Sequence, residues 1–424
     1  MKKIIALAMA VIISTGVSAC GAKTPATSPT TAPSNTEGTV SPQSFKKFKI
    51  GIAEVQANDE SVTRRNYLEN YIAPKYNVEF IFSEQCTDSE KVLTFIENCA
   101  DAGADAVISY LNDDIEQLTQ VSQEYGMKYI VNTVRIQPKT EAAFAGGYEN
   151  FAAFGSNQAA IADLFNGWLL ESASADGSEG FIICSGVANK GNLQHTEITR
   201  GTLEALQEKY GLTFKDELKT IITTSAPLEA VNDKGISIYV YPGSNTQEGW
   251  LQGLTAAIQT GRYATLLGAI QIYNLVGVVV DEAEASMNKN LKVASIAVVS
   301  ETLRTSFNTK DRFGNPSVDM ATAKPVSVLC AAGFAQAYNL LTGNESATLA
   351  PNGEAAELNT TLWAITDKDM LDIVSKWDVS DKWIADYGIV DSMLGIYNSD
   401  LTNSDIQAVI DSMTYENTLK RLGK

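Results

Sequence analysis

Histidine is almost missing. The single His195 in 424 residues cannot complete a zinc set, and any Ser-His or Cys-His pair would have to use it. It opens a polar helical pattern, where an exposed side chain is expected. Cysteine is nearly as scarce. Beyond Cys20 there are Cys86, Cys99, Cys184 and Cys330, and no two form a C-x-x-C pair. An oxidising compartment would allow a Cys86–Cys99 disulfide, whereas the apolar helical stripe that carries Cys99 reads it as a small buried hydrophobe. Basic residues fall short of acidic ones, 32 against 50, for a net charge of −18. That balance argues against nucleic-acid binding, which rests on neutralising phosphates. The chain also lacks a G-x-S-x-G elbow, a P-loop and a G-x-G-x-x-G turn after a strand, so the common hydrolase, nucleotide and dinucleotide signatures are missing.

Long hydrophobic runs are missing too. The one near the N-terminus, Ile4 to Ile13, is too short to span a bilayer comfortably. It follows Lys2 and Lys3 and precedes Val17-Ser18-Ala19-Cys20-Gly21, the layout of a secretory signal with small residues before the cut site. From Gly21 to Ser44, 14 of 24 residues are Ser, Thr or Pro, without apolar periodicity. This reads as a tether, able to reach roughly 80 Å when extended.

With 45% hydrophobic and 19% charged residues, a sizeable core is available. The clearest organising stretch is Thr87 to Asn132. Thr87 and Glu90 suggest a capping box, Val92, Ile96, Cys99 and Ala100 share a helical face, and Gly103 stops the helix. Ala106 to Tyr110 is a short apolar run that fits a strand buried on both faces. Asp114 and Gln117 then open a second helix, Gly126 closes it, and Tyr129 to Asn132 is the next strand. Helix–Gly–strand units in succession imply parallel strands with right-handed crossovers. Phe48 to Val55 and Val78 to Phe82 supply two further strands. A helix from about Val62 to Ile72 lies between them, after the polar loop Gln56 to Ser61.

A second series begins with Ser156 as N-cap of a helix over Ala159 to Leu170. Its strands are Phe181–Ser185, Ile236–Tyr241, Ala264–Ile270 and Val293–Val299; the intervening helices are His195–Tyr210, one opened by Ser244 and Gln247, and Asn274–Ala285. Leu212 to Lys234 is ambiguous, and Pro325 to Leu341 is a last long helix. The fold class is α/β, two doubly wound parallel-sheet lobes with a ligand cleft at the carboxyl ends of their strands. Residues 1–19 are the signal segment and 20–44 the tether. The first lobe takes 45–155 plus about 324–360. The second takes 156–323, with 361–424, rich in acidic helices and tryptophan, as an appendage without an assigned role.

The chain resembles the type I periplasmic-binding proteins, solute receptors of ABC importers, nearest the ribose and galactose group. The resemblance is carried by FKIGIAEVQAND, ENCADAGADAVISYLNDD, GMKYIVNTVR, FGSNQAAIADLFNGWL, RGTLEAL, YPGSNTQEGWLQGLTAAI, AIQIYNLVGVVV and TAKPVSVLCAAGFAQAYNLLTG, in order over Phe45 to Asn359. The cut site resembles a bacterial lipobox, which implies a lipidated Cys20 as first mature residue and an extracytoplasmic, membrane-anchored protein. An ordinary signal peptide with an incidental cysteine is the other reading.

The family implies lobe closure over a small polar ligand, expected to be a monosaccharide or related polyol, with ABC permease and ATPase subunits as partners. It implies a monomer without cofactor, metal or catalytic residues. Of the family's sugar contacts, Asn58, Arg135 and Gln271 keep their positions. Others depart: Glu60-Ser61 replaces an aromatic doublet, Val134 and Ser300 replace acids, Glu197 replaces an arginine and Ala323 a glutamine. Tyr110 is expected to restore part of the ring contact. The candidate ligand set is therefore Asn58, Asp59, Glu60, Tyr110, Arg135, Asn157, Glu197, Gln271 and Ser300. Each also has a plain reading. Asn58 and Asn157 can be caps, Arg135 a surface ion pair, Tyr110 core, and Glu54 and Glu60 solvated loop acids. Alternative functions are a sensor read by a membrane kinase, a receptor for a nucleoside or amino-bearing ligand, and a secreted glycoside-processing enzyme using Glu54 and Glu60.

Overall fold

The computed structural model describes residues 41–111, 113–133, 150–187, 192–275, 277–360, 362–378 and 382–423. Among these, a first sheet contains β1 (Phe48–Ala53), β2 (Val78–Phe82), β3 (Ala106–Ser109), β4 (Lys128–Asn132), β5 (Phe151–Ser156) and β12 (Glu357–Thr360). Its order is β12-β5-β4-β3-β1-β2, parallel throughout. The second sheet contains β6 (Phe181–Gly186), β7 (Leu228–Glu229), β8 (Ile238–Pro242), β9 (Thr265–Gly268), β10 (Lys292–Val298), β11 (Met320–Lys324) and β13 (Trp363–Ile365). Its order is β13-β11-β10-β9-β6-β8-β7, with only the edge pairs β11–β13 and β7–β8 antiparallel. Two such sheets, covered on both faces by helices, are the expected doubly wound lobes.

The opening unit forms as its pattern dictates, with one shift. The helix spans Ser89–Asp101 and is capped by Asp88, whose carboxylate accepts from Lys91 N. Thr87 is not the cap, because the adjacent aspartate holds the extended backbone a cap needs. Val92, Phe95, Ile96 and Cys99 face the sheet. Gly103 sits at φ +72°, left-handed backbone that glycine adopts at least cost. All four described cysteines are free and buried, so Cys86 and Cys99 form no disulfide.

Other boundaries move for similarly local reasons. The helix after β1 starts at Asp59, three residues earlier than its apolar pattern, because Asn58 and Ser61 form a reciprocal capping box. It runs through a π turn, Tyr67–Ile72, into Ala73–Tyr76. Asn157, not Ser156, caps the helix Gln158–Ser172. The Ser244–Gln247 box is absent: Ser244 accepts from Thr246 N in a local turn, and the helix begins at Trp250. Strands β5, β11, β12 and β13 carry no strand signal that periodicity isolates.

Among the described residues four passages join the lobes: β5 into the helix Gln158–Ser172, β11 into the helix Val326–Leu341, β12 into β13, and a return from the helix Lys368–Asp378 to Trp383. Each element returns to the opposite sheet, so the first lobe combines residues before 156 with 326–360. The C-terminal segment divides between lobes instead of belonging to the second. The helix Lys368–Asp378 is bound there through the Arg304–Asp372 ion pair. From Trp383 onward the chain packs on the first lobe, where Tyr67 donates to the Ala385 carbonyl at 2.7 Å and Tyr387 stacks on Tyr71 at 3.9 Å. The rings of Tyr67 and Tyr71 on the π turn, stacked on each other at 5.6 Å and met by Trp383, supply the surface for this docking, a feature invisible to composition.

Candidate functional site

The carboxyl ends of both parallel sheets open onto one cavity of about 380 Å³. That size suits a small ligand. On the first-lobe side it is lined by Val55, Gln56 and Asn58 after β1, Tyr110 after β3 and Asn132 at the end of β4. The helix Asp59–Asn66 adds Glu60 and Arg64, four residues apart and so on one face.

Arg64 organises this wall. It is 5% exposed. Its Nε donates to both carboxylate oxygens of Glu54 at 2.9 and 3.2 Å, and its Nη1 lies 3.6 Å from Glu60 Oε1. The guanidinium carbon sits 3.4 Å from the centre of the Tyr110 ring, a close cation–π stack. Burial opposes the charge on Arg64, but Tyr110, Glu54 and Glu60 outweigh it and hold the guanidinium protonated. Burial likewise pushes the Glu54 carboxyl above its ordinary range against the pull of Arg64. It also pushes up the Tyr110 hydroxyl, which donates to Cys330 Sγ at 3.8 Å. Glu54 stands behind Arg64 and does not line the cavity, so Glu54 and Glu60 act as partners of one guanidinium, not as an open carboxylate pair facing a substrate.

The second-lobe wall comes from Gly186 and Val187 after β6, Gly243 to Asn245 after β8, and Ile270 and Gln271 after β9. Asn192, Gln194 and His195 join them from the start of the helix Leu193–Tyr210, and Ile296 from β10. Asn192 caps that helix by accepting from His195 N, and its amide nitrogen lies 3.2 Å from His195 Nε2. Gly186 lies at φ +74°, and a Cβ there would stand 2.4 Å from His195 Nδ1. Glycine is what lets the histidine ring lie against the strand end. Asn245 donates to the Gln271 carbonyl at 2.7 Å, which ties two loops of this wall together.

Of the candidate residues, Asn58, Glu60, Tyr110 and Gln271 are brought together. Asn58 caps the helix, its Oδ1 accepting from Ser61 N, and the residue also lines the cavity. Tyr110 is present but does not offer the expected stacking face, because Arg64 covers one side of its ring and Phe154 meets it edge-on. Four candidates do not line the cavity. Asp59 is exposed and accepts from Thr302 of the second lobe at 3.3 Å. Asn157 and Ser300 cap the helices Gln158–Ser172 and Glu301–Asn308. Glu197 is paired with Arg200. For Asn157, Ser300 and Glu197 a local backbone or ionic partner has claimed the group. Arg135 and Cys20 lie outside the described residues.

Sequence reasoning missed Arg64 and His195. Arg64 did leave a signal, a charged residue on the stripe Glu60, Thr63, Tyr67, Leu68 that the helix buries. His195 left none, since its placement depends on Gly186, nine residues away on a different element. Among the described residues, no group of three or more His, Cys, Asp or Glu side chains is placed to hold a metal ion. No described helix is long and apolar enough to cross a membrane.

Solved structures share this fold. The chain is similar to an ABC-transporter periplasmic solute-binding protein from Actinobacillus succinogenes with bound D-allose. The two are 16% identical, with a TM-score of 0.55, over 77% of this chain and 100% of that one. A solute-binding protein from Bacillus halodurans with bound myo-inositol matches at 14% identity and a TM-score of 0.53, over 77% and 97% of the two chains. The chain has the type I periplasmic-binding fold. A third protein of this fold, a carbohydrate transporter from Acidothermus cellulolyticus in complex with myo-inositol, gives 14% identity and a TM-score of 0.52, over 78% and 98%. No protein-family model and no curated relative matches the chain. In a type I periplasmic-binding fold the crevice beyond the strand ends is where a ligand is held, and here that crevice is the polar cavity described above.

Proposed function

We infer that this protein is the extracytoplasmic binding lipoprotein of an ABC importer, anchored through Cys20, which captures a small polar ligand between its lobes and delivers it to a permease. The ligand class is a monosaccharide or related polyol. The observation that carries this reading is the lining of the cavity. Among the described residues, three carboxamides enter from the first lobe (Gln56, Asn58, Asn132) and four from the second (Asn192, Gln194, Asn245, Gln271). A carboxamide offers both donors and acceptors, as a hydroxyl does, so such a wall answers a ligand covered in hydroxyl groups. The D-allose and myo-inositol described with similar structures support the same class. Arg135 is proposed as a further contact on the strength of the family resemblance. Binding, not turnover, is the activity this wall serves.

Mass spectrometry of the small molecule that co-purifies and is released on unfolding tests the reading. A hexose, pentose or cyclitol, recovered unchanged after prolonged incubation, is expected. Recovery of a nucleoside or an amino acid, or chemical conversion of an added sugar, would overturn it. For the anchor, Cys20→Ala is expected to leave the protein unlipidated and released from the membrane fraction; retention equal to that of the unaltered protein would remove the anchor.

A further inference from the structure

We propose that Glu60 and Arg64 form a clamp for two hydroxyls on neighbouring carbons, so that this pair selects an uncharged polyol with a vicinal diol. The inference rests on the cavity being the ligand site, as set out above.

Arg64 is a committed residue with one open position. Its Nε is engaged by Glu54 and its ring-stacking face by Tyr110. Its Nη1 is buried and, among the described residues, has no hydrogen-bond partner; Glu60 Oε1 stands 3.6 Å away, within ion-pair range but beyond a hydrogen bond. A buried donor left without an acceptor is unfavourable, and this one belongs to a side chain that lines the cavity. An acceptor oxygen arriving with the ligand would satisfy it.

The surroundings decide the charge of that oxygen. Two carboxylates, Glu54 and Glu60, already flank the Arg64 guanidinium. A carboxylate or phosphate brought to Nη1 would be the third anion on one cation, and like charges at this distance repel strongly in a buried site. A hydroxyl oxygen accepts from Nη1 without that cost. A hydroxyl on the adjacent carbon can then donate to Glu60, which gives the ligand one acceptor and one donor for a protein donor and acceptor 3.6 Å apart. The same wall offers no free tyrosine face to a sugar ring, since Arg64 occupies it. Selection on this side therefore works through hydroxyls, in place of the aromatic doublet that Glu60-Ser61 displaces.

The test is calorimetric titration of the purified full-length protein with D-allose, myo-inositol, their mono-deoxy analogues and D-glucuronate. The wild type is measured beside Arg64→Lys and Glu60→Gln, with thermal melts of each. Lysine keeps the charge but loses the planar fork, and glutamine keeps the shape but loses the carboxylate. Each substitution is expected to weaken the best neutral polyol about ten- to a hundredfold. Against the deoxy analogue missing a clamped hydroxyl, the same substitutions are expected to cost about twofold or less, because the partner is already gone. Glucuronate is expected to bind the wild type more weakly than the neutral polyol. Equal losses for every ligand would reduce the pair to a structural role, and tighter binding of glucuronate would overturn the neutral selection. Should Arg64→Lys fail to fold, Glu60→Gln carries the same comparison. Polyol binding that both variants retain at full strength defeats the clamp alone. A wild type that binds none of these compounds defeats the polyol reading and the clamp with it.

Discussion

Glu284 shows how a single buried carboxyl couples this fold to pH. It lies on the helix Gly277–Met287 and is fully buried, with Oε1 accepting from Leu291 N at 2.7 Å and Oε2 without a hydrogen-bond partner. Burial first, then Asp311, Asp281 and Asp319 nearby, raise its pKa to about 7 from an ordinary 4.5. The folded state therefore keeps a proton that the unfolded chain gives up above about 4.5. Stability from this group is fully present below that value and is lost as pH rises through about 7. Glu284→Gln is uncharged throughout, so its melting temperature is expected to exceed that of wild type at pH 8 and to approach it at pH 4.5. Thermal melts across this window check the sign; a variant less stable than wild type at pH 8 would contradict it. At the same scale, Arg135 carries the proposed contact from the resemblance. Arg135→Ala is expected to weaken ligand binding about ten- to a hundredfold, as loss of a charged hydrogen bond would. Titration against the recovered ligand decides, and an unchanged affinity removes Arg135 from the site.

At the scale of elements, the C-terminal segment acts as a strap between lobes. Asp378, the last residue of the helix Lys368–Asp378, accepts from Ser327 N at 3.3 Å and so caps the helix Val326–Leu341 at the point where the chain re-enters the first lobe. Beyond it, Trp383 is 5% exposed and meets Tyr67 edge-to-face at 4.9 Å. Asn339 donates to the Met393 carbonyl and accepts from Gly395 N, which fastens the end of the helix Tyr387–Ser392 to the same surface. Buried aromatic truncation typically costs about 3–5 kcal/mol. Trp383→Ala is expected to lose that much in urea unfolding, with the first lobe affected because its π turn Tyr67–Ile72 loses its cover. A loss under about 1 kcal/mol would mean the segment is an ornament on a lobe that stands without it.

At the scale of the molecule, the proposed capture of a ligand between the lobes requires them to close on it. Three of the passages between the lobes are short stretches from a strand end to the next element, which is how hinges are usually built. Asp59 and Thr302 already meet across the cleft rim at 3.3 Å. Solution scattering with and without saturating ligand is expected to give a smaller radius of gyration for the bound protein. Superimposable profiles would indicate lobes that do not move relative to each other on binding.

The two βα series were legible because a parallel strand buried on both faces must be a short apolar run, and a helix stop at left-handed backbone favours glycine. Ala106–Ser109 with Gly103 shows this plainly. The position of the cleft followed, since parallel strands point their carboxyl ends the same way. Local spacing could not tell which polar groups at those ends would face a ligand. Asn157 and Ser300 spend their side chains on helix caps and Glu197 on Arg200, whereas Arg64 reaches the cavity from a stripe that otherwise packs the core. The sites of β12 and β13 were equally hidden, because a short edge strand is defined by its neighbour in the sheet and not by its own pattern. Periodicity is a property of neighbouring residues, and the chain alone determined what neighbours determine. The cavity is a property of residues brought from both lobes, over separations that only the folded chain closes.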